Sequence, residues 1–261
     1  MAAEHSAAGA AAGHAEHVAG PLEVFEIKRI IPIHIGNLDL SFTNSSLFML
    51  IAVGLVTLFL VAAARGARLV PTRLQSAAEL FYEFIASMVR DNVGSEGRQY
   101  FPFVFSLFMF VLLGNLLGLI PFSFTYTSHI IVTFALALVV FVFTTLIGFA
   151  RHGTHFLTFF VPQGAPKLLM PLIVPIEVLS YFTRPISLSV RLFANMMAGH
   201  TMLQVFAAFT VGLGAFLLPL GLLPLSLNVA LTIFEVLVAV LQAYVFTILT
   251  CLYLRDAVHL H

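Results

Sequence analysis

The sequence predicts an all-α integral membrane protein: three upright transmembrane helices, one surface amphipathic helix, and a C-terminal pair of long, strongly tilted membrane helices. Of its 261 residues, 60% are hydrophobic and only 9% are charged, and the mean hydropathy is +1.04. One soluble core could not bury so much apolar surface, so most of it must face lipid. Lys plus Arg equals Asp plus Glu at 12 each, and no basic cluster with interleaved aromatics occurs, so we expect no nucleic-acid partner.

The segments with the length and apolar character of upright spanning helices are 46–64, 101–120 and 130–150. Each offers about 20 residues, enough to cross a hydrocarbon core of roughly 30 Å. Between the first two, residues 72–93 place apolar side chains at helical spacing opposite charged ones, after a capping pair of Thr72 and Gln75. This helix could lie on the membrane surface or pack against a partner subunit.

Two further apolar segments are too long to cross the membrane upright. At about 1.5 Å per residue, residues 168–211 would form a helix roughly 65 Å long and residues 223–254 one of nearly 50 Å. These helices either kink, with Pro175 and Pro185 as candidate positions, or tilt strongly. A loop over residues 212–224 should join them as an antiparallel pair.

The distribution of basic residues predicts the orientation. Arginines are concentrated in residues 65–100, whereas loops 121–129 and 212–222 contain neither Lys nor Arg. Cytoplasmic loops are enriched in basic residues, so we expect a periplasmic N-terminus and a cytoplasmic C-terminus. We interpret residues 1–40 as a flexible periplasmic tail and lead-in, and residues 41–261 as a single membrane domain. The lack of a secretory or transit-like leader favours a multi-pass protein of a bacterial inner membrane.

We expect neither a metal nor a cofactor. Cys251 is the only cysteine, so no cysteine-based metal site can form within the chain. His5, His14 and His17 lie among Ala and Gly, which is typical of a solvated tail rather than of a metal cluster. The sequence also lacks the G-x-x-x-x-G-K-[ST] loop that binds nucleotide phosphates.

The long C-terminal helices carry all four Lys, Arg, Asp or Glu residues of the predicted membrane segments. Polar residues on these helices form two stripes, each along one helix face. The first stripe consists of Glu177, Arg184, Arg191 and Asn195. Its first three members are seven residues apart, and the fourth follows one turn later. The second stripe, with the same seven-residue step, consists of Asn228, Glu235 and Gln242, and it could face the first. His200 falls on the opposite side of its helix from Arg191. A charge at a membrane helix centre costs at least about 2.5–3.5 kcal/mol, so such residues usually mark ion paths.

Structural explanations compete at the charged positions. Arg191 could be only the ion-pair partner of Glu235. Glu177 and Arg184 could simply pair with each other or extend to the interface.

The uncharged polar positions have similar alternatives. Asn195 and Gln242 could be hydrogen-bonding partners that hold two helices together. A single buried histidine is more often a satisfied structural group, but His200 and Glu235 on adjacent membrane helices favour a proton relay.

Two segments carry a resemblance to a known family. SLSVRLFANMMAGH, at 187–200, and FEVLVAVLQAYVFTIL, at 234–249, resemble the signature segments of subunit a of F-type ATP synthases. The resemblance is strong over about residues 165–256, is supported by GNLLGLIP at 114–121, and is absent from residues 1–40. It implies a proton-conducting stator in lipid, beside a rotating ring of c subunits and with peripheral-stalk b subunits. It also implies that the chain is not catalytic by itself, since other subunits handle nucleotides.

The resemblance assigns roles by position. Arg191 resembles the essential stator arginine, and Asn195 and Gln242 resemble its polar neighbours facing the ring. His200 and Glu235 resemble the pair in the aqueous access channel, whose acid and histidine occur in either order in the family. Glu177 and Arg184 occupy positions that are also charged in relatives. The resemblance therefore implies that they line a channel.

A self-contained secondary transporter is the rival interpretation, and a structural membrane anchor is a third that leaves the paired stripes unexplained. The sequence shows no internal repeat, which weakens the case for an inverted-repeat transporter. A transporter predicts ion flux by the purified chain alone, whereas a stator predicts little or none without the ring. His200 and Glu235 favour protons over sodium as the coupling ion.

Overall fold

The computed structural model describes residues 27–32, 34–35, 38–39, 41–65, 68, 70–120, 123–161, 169–216 and 218–259. The long helices are α1 (Asn44–Ala64), α2 (Arg73–Val93), α3 (Phe101–Gly118), α4 (Ile130–His152), α5 (Met170–Phe216) and α6 (Leu218–Val258). All except α2 belong to the five helical segments that are long and apolar enough to cross a membrane. The predicted helical, multi-pass membrane architecture is therefore confirmed.

Short strands precede α1, and the all-α prediction did not include them. β1 (Arg29–Ile31) pairs antiparallel with β4 (Phe42–Thr43), and β2 (His34–Ile35) pairs with β3 (Leu38–Asp39). Thr43 links the first pair to the helix, because its hydroxyl accepts the Ser46 backbone N–H and caps α1. Residues 1–26 of the predicted tail lie outside the described residues.

The amphipathic helix α2 packs on this chain's own membrane helices. The Thr72 side chain caps it by accepting a hydrogen bond from the Gln75 backbone N–H at 3.4 Å. It ends at Gly94, whose φ of 83° lies in the left-handed region that favours glycine. Its apolar face buries Ile85 and Val89 in a core shared with α3 and α6. Much of the amphipathic pattern is therefore satisfied within the chain.

The long C-terminal helices meet without the predicted loop over residues 212–224. α5 continues to Phe216 and α6 begins at Leu218, so both helices contain residues that the sequence analysis placed in the loop. The glycines of this segment serve close packing instead. A Cβ on Gly221 would lie 2.8 Å from the Gly214 Cα, so the two helix backbones can approach this closely only because Gly221 has no side chain.

Prolines do not divide the long helices. α5 contains 47 residues and continues through Pro175 and Pro185, and α6 contains 41 residues and continues through Pro224. At about 1.5 Å per residue, α5 would be about 70 Å long if straight, more than twice the roughly 30 Å of bilayer hydrocarbon. This length supports the predicted tilt, which remains a prediction.

The core lies where α2, α3 and α4 pack against α6 and the middle of α5. Its fully buried side chains include Val104, Val111, Val140, Leu188, Leu192 and Phe246. One side of α5 is thereby fixed against α6, whereas the described residues leave its other side uncovered. Only 6% of the most apolar 18-residue stretch of α5 is buried, so lipid or a partner must cover the remainder.

Candidate functional site

The two polar stripes meet where α5 and α6 pack side by side. Asn195 Nδ2 donates a hydrogen bond to Gln242 Oε1 at 2.7 Å. Gln242 is 2% exposed, and its Nε2 has no hydrogen-bond partner among the described residues. Asn195 is exposed on the uncovered side of α5. This amide pair therefore connects the interior of the helix pair with the surface that the chain leaves open.

A second polar contact joins the helices at His200 and Glu235. The His200 Nδ1 lies 3.8 Å from the Glu235 Oε1, and Glu235 is 5% exposed. Both carboxyl oxygens of Glu235 are buried without a hydrogen bond in the described part of the chain. A carboxyl group and an imidazole at this separation can exchange a proton through a small movement or one bridging water. The sequence expectation that these two residues lie on adjacent helices agrees with this geometry.

Gly199 makes room for the Glu235 side chain. A Cβ built on Gly199 would overlap the Glu235 Oε1 and lie 2.9 Å from its Cδ. The glycine next to His200 therefore allows the carboxyl group to lie directly against the α5 backbone. Sequence reasoning treated this glycine only as part of the family signature.

Arg184 pairs across the helix contact and not along its own helix. Its Nη1 lies 2.9 Å from the Asp256 Oδ2 near the end of α6. Three aromatic rings also surround the guanidinium at 5.2–5.6 Å from their centroids, namely Tyr253, Tyr181 and Phe159. The alternative that Arg184 pairs with Glu177 is therefore not what the structure shows, because α6 brings the Asp256 carboxylate to the guanidinium. Glu177 is half-buried and makes no ion pair within the described chain.

Arg191 has a different environment from Arg184, although the two belong to the same stripe. Its side chain is exposed on the face of α5 that no other described element covers. In the ranges that the structure describes, no carboxylate lies within ion-pairing distance of Arg191. The alternative that Arg191 serves as an ion-pair partner of Glu235 is therefore not what the structure shows. Asn228, the remaining member of the second stripe, is half-buried, and its side-chain oxygen has no hydrogen-bond partner in the part of the chain that the structure describes.

Sequence reasoning missed three polar residues that contact these helices. Asn115 is fully buried on α3 and donates to the Ala239 carbonyl of α6 at 3.2 Å. The sequence does contain a signal for Asn115, since it is a polar amide inside an apolar segment, but the stripes were defined on the two C-terminal helices. Thr125 contacts His200 from 75 positions away, and Asp256 contacts Arg184 from 72. No local pattern could have shown either contact.

Ionisable groups retained at the contact between two membrane helices are typical of proteins that move ions across membranes. Comparison with known proteins identifies the family of ion-moving proteins to which the chain is similar. A family model described as ATP synthase A chain matches residues 46–255. ATP synthase subunit a of Paramagnetospirillum magneticum is 59% identical over 94% of this chain and 100% of the relative. That of Rhodospirillum rubrum is 55% identical, over 92% of this chain and 99% of the relative.

The chain belongs to the family of ATP synthase a subunits. It is thus a proton-conducting stator component of the membrane sector, Fo, of a bacterial ATP synthase, and nucleotide catalysis takes place on other subunits. The predicted family and general function are confirmed.

Proposed function

We propose that the chain provides two half-channels that end on either side of Arg191, and that a ring of c subunits carries protons between them. A single open pore would let protons cross without doing work. If each ring subunit carries one carboxyl group, that group can face lipid only while neutral, because an ionised carboxylate is costly in hydrocarbon. Each proton must then ride the ring from one half-channel to the other.

Arg191 is the residue that makes the carboxyl group release its proton. A permanent positive charge nearby favours the ionised form of the acid. Arginine keeps its proton where lysine can lose it, so the charge persists in an apolar setting. The same fixed charge repels protons, which blocks a direct leak between the half-channels.

The observation that carries this proposal is the contrast between two arginines seven residues apart. Arg184 has its carboxylate partner, Asp256, within the chain, whereas Arg191 has none among the described residues and is exposed on the uncovered side of α5. Small residues flank Arg191 on that side and would allow a partner helix to come close, namely Ser187, Ala194 and Ala198. We infer that the counter-charge of Arg191 comes from the ring.

The remaining polar residues line the two routes. His200 and Glu235 form the outer access route, where a proton passes to the ring. Asn195 and Gln242 hold the helix contact beside Arg191, and the first stripe continues toward the opposite side with Arg184 and Glu177. Positive-inside asymmetry supports a periplasmic N-terminus and a cytoplasmic C-terminus in the inner membrane. The peripheral-stalk b subunits would hold the chain still while the ring turns.

The proposal is tested by ATP-driven proton uptake in inverted vesicles that contain the whole complex. Arg191→Ala should abolish coupled pumping and synthesis while the c ring and the other subunits still copurify. Arg98→Ala removes an exposed arginine outside the membrane stripes and should leave pumping unchanged. An Arg191→Ala complex that pumps normally would contradict the role of Arg191.

Two further measurements separate the routes and the rival function. Glu235→Gln and His200→Ala should slow proton flux without abolishing it, and wild-type flux in both would rule out the outer route through them. Proteoliposomes that contain only this chain should conduct few or no protons. Rapid flux without the ring would instead support a self-contained transporter.

A further inference from the structure

The GNLLG segment of α3, residues 114–118, accommodates the turn that follows it. A Cβ on Gly114 would overlap the ring of Tyr126, and one on Gly118 would lie 2.6 Å from the Thr125 Cγ2. These two glycines, one helical turn apart, leave a groove in α3 into which Tyr126 and Thr125 fit. Any larger residue would push the turn away from α3.

Hydrogen bonds fix the turn in this groove. The Tyr126 hydroxyl donates to the Phe110 carbonyl of α3 at 3.0 Å. The Thr125 carbonyl accepts from the Ser128 hydroxyl at 2.6 Å and from the Ser128 backbone N–H at 3.2 Å. Thr125 and Tyr126 are 5% and 1% exposed. The position of the Thr125 side chain is therefore set by α3 and by the turn.

This side chain reaches the candidate proton route. The Thr125 Oγ1 lies 3.1 Å from the His200 Nε2, while the other ring nitrogen of His200, Nδ1, lies 3.8 Å from the Glu235 Oε1. The imidazole of His200 is thus between a hydroxyl group from the turn and a carboxyl group from α6.

A hydroxyl group suits this place because it both donates and accepts hydrogen bonds. When His200 is neutral with its proton on Nδ1, the threonine can donate to Nε2. When the proton is on Nε2, or when both nitrogens are protonated, the threonine can accept. The ring can therefore keep one orientation toward Glu235 through each protonation state that a relay requires. A carbonyl group or an aliphatic side chain could not do this.

We propose that Thr125, held in place by Gly118, is a positioning residue that keeps His200 aimed at Glu235 as the imidazole gains and loses a proton. This inference rests on the proposed role of His200 and Glu235 in the outer route. It assigns the glycine-containing segment of α3 a specific task, namely placing the hydroxyl group that orients the relay histidine.

The test compares three variants of the whole complex in vesicles. Thr125→Val keeps the side-chain shape and removes the hydroxyl, and we expect proton flux to fall about tenfold, equivalent to about 1.4 kcal/mol, the size of one net hydrogen bond. Thr125→Ser keeps the hydroxyl and should restore most of the flux. Thr133→Val is the matched control, because among the described residues this buried threonine hydroxyl bonds only to carbonyls at the start of α4, those of His129 and Ile130.

Two readouts distinguish positioning from a general structural effect. Thr125→Val should change the flux–pH profile measured from the outer side, and it should alter the ring 15N chemical shifts of His200 in labelled complex. Neither should change in Thr133→Val. If Thr125→Val fails to assemble, Thr125→Ala, which removes the atoms facing Gly118, carries the same prediction.

Combination with His200→Ala separates this inference from the function on which it rests. If Thr125 acts through His200, Thr125→Val should cause no further loss of flux in the His200→Ala background. An equal tenfold loss in both backgrounds, or wild-type flux and 15N shifts in Thr125→Val, would overturn the positioning role while leaving His200 in the route. If His200→Ala alone does not slow flux, the proposed route through His200 is wrong.

Discussion

Replacing Gly199 by alanine should move the Glu235 carboxyl group away from His200. The added Cβ would overlap the Glu235 Oε1 and lie 2.9 Å from Cδ and 3.3 Å from Cγ. Carbon atoms that are not bonded prefer separations of about 3.5–4.0 Å, so the carboxyl group must retreat by about 0.6–1 Å. The separation of 3.8 Å between His200 and Glu235 already exceeds a hydrogen bond, so any further increase hinders proton transfer.

Two opposing terms set the change in stability. Alanine in place of glycine in a helix interior contributes at most about 1 kcal/mol of stability, whereas overpacking costs about 1–3 kcal/mol. Gly212 on the same helix is the matched control, because a Cβ there would meet nothing within 4 Å. Both variants gain the helix-propensity term, so their difference isolates the overlap. Gly199→Ala should therefore be about 1–3 kcal/mol less stable than Gly212→Ala.

The displaced carboxyl group should also slow proton transfer. A misplacement of about 1 Å can reduce the rate of a positioned reaction by up to about 100-fold, so we expect a 10- to 100-fold loss of proton flux in Gly199→Ala. The assay is ATP-driven proton uptake by vesicles that contain the complex, with thermal unfolding of the complex measured in parallel. Equal flux in Gly199→Ala and Gly212→Ala would refute the idea that Glu235 must lie against α5.

Two other changes test contacts around the site. Asp256→Asn should reduce the interaction free energy between Arg184 and residue 256 by about 1 kcal/mol, a value that allows for partial solvent exposure of the ion pair. A double-mutant cycle with Arg184→Gln measures this coupling, and a value of zero would show that the aromatic rings alone hold the guanidinium. Tyr126→Phe should cost about 1 kcal/mol through loss of its hydrogen bond to α3. Burial raises the pKa of Tyr126 above its ordinary value of 10.0, so this contribution is complete below pH 10 and is lost as the pH rises through the higher folded-state pKa. A Tyr–Phe difference in unfolding free energy that varies near neutral pH would contradict this.

The sequence predicted the membrane helices well because their signal is local. Apolar runs of sufficient length identify spanning segments without knowledge of their neighbours, and the five candidates are present. Periodicity likewise brought Asn195 and Gln242 onto facing stripes, and the structure joins them by a hydrogen bond. The bilayer makes such patterns informative, because it restricts polar residues to few places.

The errors have a common physical origin in contacts between distant segments. The predicted loop over residues 212–224 is wrong, because the packing of Gly221 on Gly214 depends on how two helices meet. The sequence leaves a pair of Arg184 with Glu177 open as one alternative, because the approach of Asp256 depends on the course of α6, which no local pattern shows. The strands before α1 are two or three residues each, too short to give a periodic signal.

Arg184 and Arg191 differ in what offsets the free-energy cost of placing a cation in a membrane helix. A cation placed in a membrane helix costs at least about 2.5–3.5 kcal/mol unless something offsets it. Arg184 is offset by Asp256 and three aromatic rings. Arg191 has no such offset in the described residues, so the chain alone should hold it at a cost that a carboxyl group from a partner removes. In the proposed mechanism that carboxyl group is ionised beside Arg191 and neutral in lipid, so each encounter would be coupled to loss and regain of a proton. An arginine without a carboxylate partner among the described residues is therefore what the proposed mechanism needs, since a cation already paired within the chain could not drive this exchange.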